Sequence, residues 1–131
     1  MTSKKLLKFY FRAGRLNDAL DNLIMRSACA SATGGNTVFY YADKIIEIVE
    51  AKRKLSELWK YLDGVMSSFN GEDKGILFGY ALSRGGYNGL PKDRANAVRR
   101  VVVRFMRRAK NLSAYGEAVE LVKRYYALTG R

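Results

Sequence analysis

The stretch "VFYYADKIIEIVEAKRKLSELWKYLDGVMSSF", residues 38–69, decides how this chain folds. Val38, Tyr41, Ile45, Ile48, Lys52, Leu55, Trp59, Leu62, Met66 and Phe69 recur at alternating steps of three and four, the spacing of a heptad seam on one long helix. Lys52 interrupts it, and its four-carbon stem can line the seam while the ammonium reaches outward. Upstream, Leu6, Phe9, Ala13, Leu16, Leu20 and Leu23 repeat the same spacing behind a candidate cap at Ser3. Gly14 within that run costs about 1 kcal/mol relative to Ala, which the seam can absorb. "SATGGN" breaks the periodicity between the two runs, and Asn36 suits the N-cap of the second helix. Two seamed helices joined by a short Gly loop fold back as an antiparallel hairpin, here over residues 1–69. Trp59 and the seam tyrosines then belong to the core rather than to a ligand platform.

Downstream, Asn70 is a capping residue, and Glu72 and Asp73 follow where a helix dipole favours acids. Gly75 and Gly79 stand one turn apart, which fits either a close backbone approach or a weak helix. "GGYNGLP" is a loop, and Pro91 suits a first helical position. The segment "KDRANAVRRVVVRFMRRAK", residues 92–110, then separates by face. Val98, Val101, Val102, Phe105, Met106 and Ala109 fall on one side. Arg99, Arg100, Arg104, Arg107, Arg108 and Lys110 fall on the other, with Val103 among them. Asn111 and Ser113 mark a break before a last helix whose apolar face is Ala114, Ala118, Leu121, Val122, Tyr125 and Leu128, and which Gly130 can stop. The expectation is an all-α chain of five helices: a long antiparallel helical hairpin, then a small basic three-helix unit over 70–131, together one compact domain.

At 131 residues the chain suits one domain with a real core. Lys and Arg number 24 against 12 acids, a net charge of +12. Most of that excess falls after residue 90, in a helix whose cationic face contains no acid. Neighbouring like charges on a helix repel, so an external anion is the simplest explanation for such a face. His is absent and Cys29 is the only cysteine. An internal disulfide, a conventional zinc site and nucleophilic schemes that need a His base are therefore excluded, and no cofactor or enzymatic activity is expected. Cys29, among small residues, reads as a buried packer in a reduced, cytoplasmic protein. The longest uncharged run, residues 27–42, is not apolar enough to span a bilayer, and the basic N-terminus runs straight into a helical pattern.

A helical hairpin followed by a basic helical unit resembles the phage-encoded transcription regulators of the ArpU and RinA kind, which end in a helix-turn-helix similar to region 4 of sigma factors. The likeness is carried by "SACASATGGNTVFYYADKIIEIVEAKRKLSELW" and "ILFGYALSRGGY", where that family has a long helix after a small-residue break and an apolar helix ending in a Gly turn. One departure stands out. The family places a scaffold helix before its recognition helix, whereas here only "GYNGLPKD" is available. Either residues 72–84 supply the first helix of the motif or the motif is lost.

The resemblance implies that residues 92–110 meet nucleic acid, with duplex DNA favoured. Asn96, Arg99 and Arg100 would then be candidates for base edges, with Lys92 and Arg94 at the start of the segment. Arg104, Arg107, Arg108 and Lys110 would contact phosphates, and nothing in the sequence requires their side chains to pack. The hairpin would serve a homodimer or a contact to RNA polymerase. Two other functions fit the same charge. One is a small phage-type helical protein that blocks an acidic protein partner. The other is RNA binding, with tyrosines of "GGYNGL" or "KRYYALTG" stacking on bases. No small-molecule substrate and no membrane partner are expected.

Overall fold

The seam that opens at Val38 lies on the longest helix among the described residues, and Phe69, expected as its last member, is buried just beyond the helix end. In the computed structural model, which describes residues 2–33, 38–84, 87 and 89–126, this helix (α3) runs Val38–Met66. Before it come α1 (Ser3–Phe11) and α2 (Ala13–Thr33). After it come α4 (Gly71–Leu82), α5 (Lys92–Arg108) and, beyond a 3₁₀ turn over Lys110–Tyr115, α6 (Gly116–Tyr125). The chain is all-α, with six α-helices among the described residues where five were expected.

α2 packs along α3. Lys52 pairs with Asp21, while Trp59 reaches back to Tyr10, so the order of contacts runs oppositely along the two stretches and the pair is antiparallel. Leu16 and Leu20 are buried in the same core as Ile48, Leu55, Leu62 and Met66. Lys52 behaves as its stem allows, half-buried with its ammonium on Asp21. The proposed cap Asn36 and the Val38 side chain lie outside the described residues, as do Leu128 and Gly130.

The extra helix comes from a break at Arg12, which leaves helical geometry at φ −117° and ψ 21°. α1 therefore packs mainly against α4 while α2 follows α3. The break leaves carbonyls at the end of α1 without intrahelical donors. Trp59 answers one of them: its indole N–H donates to the Tyr10 carbonyl at 3.0 Å, and its ring stacks on Tyr10 at 5.5 Å. The Tyr10 hydroxyl donates to Asp63 at 2.6 Å. Burial, then the Asp63 carboxylate, pushes that hydroxyl well above the ordinary tyrosine range. Trp59 is thus a half-buried wall of the core that also caps α1, rather than a fully buried seam residue. The cap at the start of α1 is Thr2, whose Oγ1 accepts from the Lys5 N–H at 3.2 Å, and Ser3 is the first helical residue.

A single seam does not exhaust α3. Ala51 and Leu58, seven residues apart and off the heptad seam, are also buried. By helical spacing they share the side of α3 that carries Glu47 and Lys54. Ion pairs Glu47–Arg124 at 2.8 Å and Lys54–Glu117 at 2.6 Å fix α6 antiparallel to α3. α6 buries Ala118, Val122 and Tyr125, whereas Ala114, expected on that face, is exposed in the 3₁₀ turn. Cys29 is exposed, not buried, because it lies outside the α2 seam.

α4 starts as its sequence dictates: the Asn70 side chain accepts from the Asp73 N–H at 2.8 Å. Its glycines do not mark a close approach. A Cβ on Gly75 or Gly79 would meet nothing within 4 Å, so the two only weaken the helix. Gly79→Ala is expected to stabilise the protein by about 0.5–1 kcal/mol, read as a higher urea midpoint at unchanged m-value.

Candidate nucleic-acid interface

Pro91 stands one position earlier than expected, as the residue before α5, where its carbonyl accepts from the Ala95 N–H at 2.9 Å. A left-handed turn at Gly89, with φ +81°, delivers the chain to it. From there the split of faces is realised. Val101, Val102, Phe105 and Ala109 are buried, Val98 and Met106 half-buried. Phe105 lies 6.4 Å from Phe69 in ring centroids, which sets the last turn of α5 against the connection between α3 and α4.

The opposite face is exposed, and its arginines divide into two groups. Arg104 pairs with Asp73 at 3.1 Å and lies over the Phe69 ring at 5.7 Å. Arg108 donates to the Ser68 carbonyl at 3.1 Å and to Ser68 Oγ at 2.9 Å, with its guanidinium 4.5 Å from the Phe69 centroid. Arg99 covers the Tyr87 ring at 4.9 Å. Arg104 and Arg108 thus do pack, contrary to the expectation drawn from α5 alone, and Arg99, a base-edge candidate, packs as well, because the partners come from other parts of the chain. Asp73 reads in sequence as a helix-start acid, and no periodicity links it to Arg104.

The second group is Lys92, Arg94, Arg100, Arg107 and Lys110. All are exposed, and none has an acidic partner among the described residues. Asn96, Arg99, Arg100, Val103, Arg104 and Arg107 line one shallow open groove along the outward side of α5. Asn96, Arg100, Val103 and Arg107 follow the i, i+4, i+7, i+11 spacing of its midline. Lys92, Arg94 and Lys110 lie outside that groove, toward the two ends of the segment, and Arg94 lines the cleft between α4 and α5.

The tyrosines offered as base platforms are engaged within the protein. Tyr87 stacks on Tyr80 at 5.2 Å and lies under Arg99. Burial raises the Tyr87 hydroxyl above its ordinary range, Tyr80 adds to the rise and Arg99 opposes it. Tyr125 is buried, and Tyr126 has Lys5 and Lys8 within 5.2 Å of its ring centroid.

α4 packs on α5. Residues 83–91 connect them, longer than the turn of about three to four residues in a helix-turn-helix. Among the described residues no cluster of Cys, Asp and Glu could hold a metal ion, and no helix is long and apolar enough to cross a membrane. Comparison with protein-family models, curated proteins and solved structures finds no match to this chain.

Proposed function

We propose that this protein binds nucleic acid through the outward face of α5, with duplex DNA as its target, and acts as a cytoplasmic regulator of transcription. One observation carries this: Lys92, Arg100, Arg107 and Lys110 are exposed without an acidic partner among the described residues, on a segment whose other side is committed to the core. Like charges one turn apart on a helix cost about 0.2–0.5 kcal/mol per pair, and phosphates remove that cost. A helix with a cation at its start, cations along its outward middle and another just past its end suits a groove bordered by two phosphate backbones. The likeness of the sequence to phage-encoded regulators adds the regulatory role, with the α2–α3 hairpin serving a homodimer or a polymerase contact. In this reading the protein catalyses no reaction of its own and uses no cofactor.

Fluorescence anisotropy with a labelled duplex, a single strand and an RNA hairpin, each titrated between about 50 and 200 mM salt, tests it. Duplex DNA is expected to bind tightest. With about five phosphates neutralised, log K should fall against log salt with a slope near −4 to −5. Tighter binding to the RNA hairpin would move the function to RNA. Absence of salt-dependent binding to all three would overturn the proposal in favour of an acidic protein partner.

A further inference from the structure

Val103 is the anomaly of the α5 surface. It is 42 % exposed, on the outward midline, in a groove otherwise lined by Asn96, Arg99, Arg100, Arg104 and Arg107. A β-branched apolar side chain there adds nothing to the core, lowers helix propensity slightly and offers nothing to a phosphate. It does offer a contact to an apolar group set among polar ones. The major groove of DNA presents one such group, the 5-methyl of thymine.

From this we infer that Val103 reads a thymine methyl, and that the target is thymine-containing duplex DNA rather than RNA. The inference rests on the proposed docking of α5 on DNA. When a helix lies in a groove, its middle approaches the floor while its ends rise toward the phosphates. Residue 100 is the centre of Lys92–Arg108, so Arg100 and Val103 are placed for base edges and Lys92 and Arg107 for the backbone. Three residues of helix rise about 4.5 Å, close to the roughly 3.4 Å of one base-pair step. Arg100 on guanine O6 and N7 therefore sets Val103 beside the neighbouring pair. RNA offers no equivalent: uracil lacks the methyl, and the A-form major groove is too deep and narrow for side chains to read.

The probe is a library of duplexes with a short randomised stretch, selected by the wild-type protein, followed by the best duplex made with deoxyuridine in place of each thymine in turn. Selected sites are expected to carry guanine and thymine on adjacent pairs. Removing one methyl should weaken wild-type binding about fourfold, the factor for burying one methyl-sized group. Val103→Ser should abolish that discrimination, Val103→Thr should retain it through its γ-methyl, and both should melt like wild type because residue 103 is outside the core. Full discrimination in Val103→Ser, or selected sites without a fixed thymine, would overturn the inference while leaving the DNA reading intact. A wild-type protein that retains no duplex at all overturns both.

Discussion

Exchanging Lys92, Arg107 and Lys110 together for Gln is expected to weaken binding to every duplex by about 500-fold at 0.1 M salt. Each phosphate contact contributes about 0.9 to the salt slope, which at that concentration is a factor of roughly eight per contact. The slope should flatten from near −4.5 to near −2. These three are the right cations to remove because they are exposed and hold nothing else in place among the described residues. Arg104 and Arg108 are the wrong ones. They join α5 to Asp73 and Ser68, so their loss would mix a stability change into the binding measurement. Matched salt titrations and thermal melts of wild type and triple variant decide the matter. An unchanged slope with an unchanged melting temperature would remove α5 from the interface.

Phe105→Ala should cost about 3–5 kcal/mol, a large share of the roughly 5–15 kcal/mol that holds a domain together. Phe105 is fully buried, on the line of α5 that also buries Val101, Val102 and Ala109. Its ring meets Phe69 at the junction of α3 and α4, where Arg104 and Arg108 also anchor. Truncation leaves a cavity at the point where the basic helix joins the rest of the core. Urea unfolding measures the loss, and a cost below about 1 kcal/mol would show that α5 is not held as described. Arg100→Gln is the matched surface change and should leave the midpoint unaltered, since Arg100 has no acidic partner among the described residues.

The periodic features of the chain were legible without coordinates. The spacing of Ile48, Leu55, Leu62 and Met66 marks a buried edge, and the division of α5 between Phe105 and Arg100 follows from a turn of 3.6 residues. Asn70 as a cap was equally plain, because that interaction spans three residues. All of these arise within one helix, where sequence separation and spatial separation are the same information.

What the tertiary structure alone decided was the choice between partners far apart in the chain. The break at Arg12 stands two residues before Gly14, which the heptad spacing simply runs through. Beyond it α2 follows α3 while α1 packs on α4, and Trp59 caps the carbonyl the break leaves. Ala51 and Leu58 are buried on a second side of α3, the side whose Glu47 and Lys54 pair with α6. The arginines of α5 carry the same charge in sequence, yet Asp73, Ser68 and Tyr87 take up Arg104, Arg108 and Arg99 and leave Arg100 and Arg107 without such partners among the described residues. The physical reason is common to all three. A heptad fixes which side of a helix is apolar, but not how many neighbours cover it. An ion pair 31 residues apart depends on where two helices cross, which no local pattern encodes.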